Sequence, residues 1–592
     1  MSLNRYYEKE LVALRMLGKE YAERNPALAP FLDTPGRDPD VERILESFAF
    51  LSGRLRQKLE DELPEITHAL FNLLWPNYLR PVPSCSVIKY MPTVNTSATA
   101  LIPKNTLVES EPVEDTRCRF KTVYDVEIQP LQITNLSFIA REGKAIMQIH
   151  FGLINSSLEN LALNALTFFL NGEPAITHTL YLYLVRKARS ISVVAASKTG
   201  AEHTLAVLEP QSLSPLGFGD DEALFPYPPN SFPGYRILQE YFCFPEKYHF
   251  VRLGGLQAAF NRATLSRVEG SPETFHIDFL FDDLPGNFES FSKDNIHLFC
   301  TPVVNIFPKS ATPLTFDHKE NEYRIVPDPT MPYSFSTYSV EKVTSRSSSN
   351  VATRTYKAFE SFDHIGENNE HAAYYRLRIR PAVKDQSIET WISIVRADKS
   401  HQDPDEIETL SLELLCTNRL LPGKLRVGDI RLMAEKTSNA VDFRNIIPVT
   451  PPYMPPIEGD ILWKLLSNMS LNYIPLTNIK ALRAILNTYD FRALHDHRRA
   501  KVLEQSLLGM ISITSEETDR LYRSLPIRGL ETLLILEEKR FSCEGEMVLF
   551  ASVLNEFFAL YATVNSFHKL TVQESGSGKS YEWPARLGAT RI

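Results

Sequence analysis

Gly576-Ser577-Gly578-Lys579-Ser580 holds the residue types that cradle phosphate: glycines that let backbone N–H groups approach an anion, and a lysine to neutralise it. A phosphate-binding loop also needs a glycine six residues before the lysine, where this chain has Gln573, and a helix directly behind. Trp583-Pro584 follows almost at once, so the stretch reads as a flexible polar loop. His495-Asp496-His497 offers two imidazoles, but at a spacing that points them apart on a helix, and Arg498-Arg499 beside them repels a cation. A solvated polar turn is the better reading. Asp220-Asp221-Glu222 and Asp282-Asp283 are carboxylate clusters that could bind calcium or move protons, yet neither has the alternating acid pattern of a calcium loop. The first group reads as structural. There is no G-x-S-x-G elbow and no dinucleotide fingerprint. Glycine, at 24 of 592 residues, is scarcer than the usual fraction of about 7%. These residues rank an assembly or interaction protein first, without metal, nucleotide or other cofactor. An enzyme with an unrecognised active site, such as a carbohydrate hydrolase with carboxylates on a sheet, ranks second.

Composition points the same way. A chain of 592 residues, 43% hydrophobic and 23% charged, has the make-up of a globular protein of roughly four domains. Its net charge of −9 argues against a dedicated nucleic-acid binder, which displaces counterions with clustered Lys and Arg. The first residues lack the apolar run of a secretory signal, and no segment approaches the ~18 apolar residues of a membrane span. Cys85, Cys118, Cys243, Cys300, Cys416 and Cys543 lie far apart, with no C-x-x-C pair. They suit buried structural roles in a reducing cytoplasm.

The elements that would position any site begin with helices. Tyr7, Leu11, Leu14, Gly18 and Tyr21 recur at spacings of four and three, a seam along a helix over residues 3–24 that Asn25-Pro26 ends. Asp38 and Pro39 start a second helix, whose stripe runs through Ile44, Leu45, Phe48, Leu51 and Leu55. Pro64 opens a third that reaches Trp75. Phe48-Ala49-Phe50-Leu51 is apolar around much of its helix, which therefore needs more than one neighbour. From Ser86 onward short β-prone runs alternate with turn residues, among them 119–123, 145–154, 191–195, 274–281 and 296–301, and predict antiparallel sheets rather than βαβ units. Residues 179–188 could form an inserted helix. The Pro-, Phe- and Tyr-rich stretch 210–245 reads as a long irregular arm. Past the prolines of 448–456 the chain turns α+β, with helices expected near 460–471, 478–486 and 500–508 and a strand near 530–540. An amphipathic helix is expected over 547–561, its stripe formed by Phe550, Leu554, Phe557, Phe558 and Tyr561. That stripe either covers a sheet or joins copies of the chain. The expected fold is multidomain α+β: an N-terminal helical bundle region (1–85), central antiparallel β-rich regions (86–340 and 341–450) and a C-terminal α+β domain (451–592). Tyr7, Leu11, Leu14, Phe48, Phe50, Leu51, Leu55, Phe557, Phe558 and Tyr561 are the candidate partner-contact residues.

DPDVERILESFAFLSGRLRQKLEDELPEITHALFNLLWPNYLRPVPS (38–84) resembles the N-terminal signature of the TssF family (VasA/ImpG), baseplate subunits of type VI secretion systems. Further family-like blocks follow in order: LGFGDDEALFPYP, GYRILQEYFCFPEKYHF, CTPVVNIFP, LFASVLNEFFALYATVNSFHKL, and a tail at Trp583-Pro584-Ala585-Arg586, where the family pattern is W-P-P-R. The resemblance implies a non-enzymatic wedge subunit similar to those of contractile phage tails. It would assemble as a pair of copies with TssG, and with TssE and TssK, around a VgrG hub to nucleate tube and sheath. Its implied place is the cytoplasm, docked through the baseplate at the inner-membrane complex.

Overall fold

The computed structural model describes residues 2–24, 39–60, 64–93, 99–141, 144–158, 161, 163–196, 202–227, 233–265, 274–286, 288–317, 319–347, 353–359, 373–382, 387–396, 407–434, 441–457, 462–463, 478–522, 525–559, 562 and 566–588. It divides into two compact units, Met1–Leu73 with Pro456–Ser470, and Leu74–Pro455 with Leu471–Ile592.

The first unit is built from the helices Ser2–Arg24, Pro39–Glu60 and Pro64–Leu74. Pro39 and Pro64 stand at first helical positions, where a missing N–H costs nothing. The first two helices pack side by side, and the Ser52 hydroxyl donates to a Glu10 carboxylate oxygen at 3.2 Å. Ala49 and Gly53, on the side that carries Ser52, are buried. Small residues there let two backbones approach closely. Among the described residues the packing that is seen is this helix pair, and the expected helix at 460–471 lies mostly outside them.

The second unit holds the sheets, antiparallel almost throughout. A six-stranded sheet runs Ile430–Met433, Leu107–Val113, Thr116–Thr122, Cys300–Val304, Cys85–Pro92, Val441–Asn445. Thr116–Thr122 shows the expected period of two, with Cys118 and Phe120 inside and Arg117 and Arg119 outside. A five-stranded sheet (Glu202–Leu208, Ser190–Ala196, Thr274–Phe281, Lys144–Leu153, Leu131–Arg141) and a four-stranded one (Leu213–Pro215, Phe250–Leu253, Leu166–Leu170, Ile296–Leu298) follow. The expected strand over 296–301 is split by Phe299, whose φ of +56° breaks the extended run. An eight-stranded sheet joins Phe307–Ser310, Glu408–Thr417, Ser336–Ser347, Arg354–Ala358, Ala373–Pro381, Ile388–Arg396 and Tyr323–Arg324, with Leu314–Phe316 beside Glu408–Thr417.

These sheets correct the expected boundary at 340/341, which falls inside the strand Ser336–Ser347. The chain also returns from the eight-stranded sheet to give Ile430–Met433 and Val441–Asn445 to the six-stranded one. Buried amides hold the crossing. Asn305 Nδ2 donates to Asn418 Oδ1 at 2.9 Å, and Asn418 N returns a bond to Asn305 Oδ1 at 2.7 Å. Each polar atom lost from water is thereby matched.

The C-terminal sheet orders Met510–Tyr522, Leu525–Leu536, Phe567–Glu574 and Ser580–Glu582. Leu525–Leu536 and Phe567–Glu574 are parallel, so the helix Glu544–Ala559 between them is a crossover of the βαβ kind that the sequence reading assigned to no part of the chain. That helix is not amphipathic. From Met547 to Ala559 every residue but Glu556 is buried. It packs on the helices Pro174–Leu182 and Pro233–Cys243 and on the strand Phe567–Glu574. Gly545 sits so near the Pro174–Leu182 helix that a Cβ there would lie 2.0 Å from the His178 carbonyl oxygen. Gly545→Ala is expected to destabilise the chain by about 1–3 kcal/mol or more and to lower its melting temperature. Gly286→Ala, whose Cβ meets nothing within 4 Å, leaves it unchanged.

His568, bonded at 3.0 Å to Thr532 Oγ1, and His297 are both pulled down to about 4, chiefly by burial. Both are neutral in the folded chain at neutral pH, whereas unfolded histidine titrates near 6.5. Below that value the unfolded state binds more protons, so stability is lost as pH falls from about 6.5 towards 4. Melting curves across this range should show it, and His568→Gln should flatten the fall.

Candidate interaction surface and the buried charge cluster beneath the core

Ile44, Phe48 and Leu51 are spaced i, i+4, i+7 and so line one stripe of the Pro39–Glu60 helix. They are 69%, 58% and 59% exposed, on a different face from buried Ala49 and Gly53. Phe50, a further turn of about 120° around the helix, is also exposed. On the first helix Tyr7, Leu11 and Leu14 are half-buried, while Val12, Met16, Leu17 and Tyr21 are exposed. The seam read from the sequence is thus partly covered at Tyr7, Leu11 and Leu14 and open at Tyr21, and a second apolar surface remains in water. Burying a Leu or Phe contributes about 1.5–3 kcal/mol, and contiguous exposed apolar surface marks interaction sites. Leu55 continues the stripe by position, but its side chain lies outside the described residues.

The C-terminal candidates are corrected. Phe557 and Phe558 have no exposed surface; their rings lie 5.8 Å apart at a tilt of 47°, with Phe558 also 5.5 Å from His568. Two further helices and a strand pack on this crossover helix, which leaves these rings nothing to offer a partner. Tyr561 lies outside the described residues.

The arm expected over 210–245 is also corrected. It contains the helix Pro233–Cys243, whose Arg236, Glu240 and following Lys247 are buried. Glu240 Oε1 accepts from the backbone N–H of Leu224 at 2.7 Å and of Phe225 at 3.1 Å, and Oε2 accepts from Lys247 Nζ. Arg236 lies 3.5 Å from the same carboxylate and reaches Asp220 at 3.1 Å. Burial pulls the Lys247 ammonium below its ordinary value, and the Glu240 carboxylate it touches opposes that. Sequence reading missed this cluster because its members sit in a Pro- and aromatic-rich run that reads as irregular. The i, i+4 spacing of Arg236 and Glu240 was the one available signal.

The same helix gathers aromatic rings. Trp75 lies 5.1 Å from both Tyr235 and Tyr489, and its indole N–H donates to Tyr227 Oη at 2.7 Å. Tyr227 in turn bonds Gln239 at 2.9 Å.

The residues that suggested chemistry have structural partners. Glu222 accepts from Gly217 N at 2.7 Å and Gly219 N at 3.0 Å. Asp282 pairs with Arg189 at 2.7 Å, and Asp283 with Lys187 at 3.2 Å. Asp496 caps the helix His497–Leu508 through the N–H groups of Arg498 and Arg499, while His495 stacks on Tyr453. The 576–580 loop turns between two strands: Glu574 accepts from Ser577 N, and Lys579 pairs with Glu544 at 2.8 Å. Among the described residues no group of three or more His, Cys, Asp or Glu is arranged to hold a metal ion.

Lys247→Met removes one cation from a carboxylate with no route to water. It is expected to cost about 3–5 kcal/mol, because a buried charge is left uncompensated. Lys247→Met with Glu240→Gln should recover part of that loss, as read from denaturant midpoints.

A curated relative, type VI secretion system component TssF1 of Pseudomonas aeruginosa, is 29% identical over 99% of this chain and 98% of its own length. A cryo-electron microscopy structure of the type VI secretion system TssK-TssF-TssG baseplate subcomplex contains a chain matching 93% of this one and 99% of itself, at 28% identity and a TM-score of 0.75. A structure of the type VI baseplate complex matches in fold at 24% identity and a TM-score of 0.69, over 98% of this chain and 99% of the other. The family described as "Type VI secretion system, TssF" matches residues 1–590, and this chain belongs to it.

Proposed function

We propose that this protein is a structural subunit of a type VI secretion baseplate that acts through its surfaces rather than by catalysing a reaction. The relatives assemble with TssG and TssK, and the same partners are proposed here, together with a second copy of the chain. The observation that carries the reading is the exposed stripe Ile44, Phe48 and Leu51, flanked by Phe50. A helix pair that leaves such a stripe in water is half of a larger bundle, and partner helices complete it. Tyr7, Leu11 and Leu14 hold the pair in register for that docking.

The carboxylates that an enzyme reading would use are committed to ion pairs and backbone N–H groups, which favours a mechanical role. No helix among the described residues is long and apolar enough to cross a membrane. The proposed place is the cytoplasm, with the baseplate docked on a membrane complex that other subunits span. TssE and a VgrG hub belong to this proposal through the family resemblance.

The double substitution Phe48→Glu with Leu51→Glu alters only exposed side chains, so the chain should fold and melt as before. Co-expressed with TssG and TssK from the same system, the variant is expected to lose them on purification. Full recovery of the complex would refute the role of this stripe.

A further inference from the structure

The outer face of the eight-stranded sheet is basic in a chain whose net charge is −9. Tyr356, Val343, Ile392 and Leu412 point into that sheet's core, so residues one position away in each strand face outward. Four outward cations are already neutralised. Lys342 lies 3.7 Å from Glu413, Arg324 2.9 Å from Glu389, and Arg378 and Arg380 both meet Glu322. Arg346, Lys357 and Arg376 are exposed and have no ion pair among the described residues. They stand on three strands that neighbour one another, Ser336–Ser347, Arg354–Ala358 and Ala373–Pro381. Short side chains, Thr344 and Thr355, lie directly opposite each other in the same row. Aromatic surface adjoins: Phe359 is 45% exposed, and half-buried Trp391 carries Arg380 at 4.8 Å from its ring.

We propose that this face docks an acidic surface of a partner protein, with Arg346, Lys357 and Arg376 receiving its carboxylates and Trp391 and Phe359 its apolar flank. A protein is favoured over other polyanions by the number and setting of the charges. Nucleic acid is held by many phosphate contacts, and three cations can neutralise only a few, so this face would hold it weakly. An anionic bilayer needs a comparable density of cations. Three free cations, separated by settled ion pairs and backed by aromatic rings, match the spaced carboxylates and mixed polarity of a protein interface. The inference stands independently of the helix stripe, which lies in the other compact unit.

The test uses the full-length chain and three probes: a Glu-rich peptide of about 20 residues, a single-stranded oligonucleotide and phosphatidylglycerol vesicles, each titrated at low and moderate salt. The expected result is peptide binding that weakens with salt and falls by about tenfold or more in Arg346→Glu/Lys357→Glu/Arg376→Glu, with unchanged melting temperature. Arg346→Lys/Arg376→Lys should retain it. Peptide binding that is equal in wild type and the triple variant overturns the proposal, as does loss of oligonucleotide or vesicle binding alone. The stretch 360–372 of this chain carries Glu360, Asp363, Glu367 and Glu370 and is the competing occupant. If peptide binds only after these four are changed to Gln, the chain covers its own face and the proposal fails.

Discussion

Glu240 is a carboxylate without exposed surface, and the elements around it in the second compact unit must satisfy its charge. Two backbone N–H groups, one ammonium and one guanidinium converge on its two oxygens. An ion taken out of water in this way is costly unless every lone pair is matched, so the cluster tolerates little rearrangement. Its donors come from three places: the helix that carries Glu240, the segment 224–225, and Lys247 beyond the helix end. The same helix presents Tyr235 to Trp75 and Tyr489, and Tyr241 to Phe550. Residues from near both ends of the chain thereby close on one short helix, and the ionic cluster fixes where that helix lies.

Around this point the division of labour is physical. Burial is spent inside the second unit, where the Glu544–Ala559 helix is enclosed on nearly every side. Apolar surface is left over in the first unit, where Ala49 and Gly53 make a close helix pair and Ile44, Phe48 and Leu51 remain outside it. An isolated chain gains nothing from that stripe. A subunit that must be incomplete until it meets its partners does, and this is the sense in which the fold supports assembly.

Much of this was legible in the residues. Proline at first helical positions marked the helices Pro39–Glu60 and Pro64–Leu74, and the period of two marked the strands Lys144–Leu153 and Thr274–Phe281. Periodicity could not distinguish an enclosed crossover helix from an interfacial one. Phe557 and Phe558 have the same spacing in either setting, and only the parallel pairing of the strands on both sides decides. The packed helix at 233–243 was hidden because Pro, Phe and Tyr read as loop residues, whereas here Tyr235 packs on Trp75 and Tyr489, and Tyr241 on Phe550. Domain boundaries were blurred for a topological reason, since strands late in the sequence complete a sheet begun at Cys85.

The central claim is that the outward stripe of the Pro39–Glu60 helix becomes buried when the subunit assembles. Carbene footprinting with mass spectrometry, on the free chain and on its complex with TssG and TssK, measures this directly. Labelling at Ile44, Phe48 and Leu51 should be high in the free chain and strongly suppressed in the complex, with Phe557 and Phe558 unlabelled in both. Equal labelling of the three stripe residues in the free chain and the assembled complex would contradict the account.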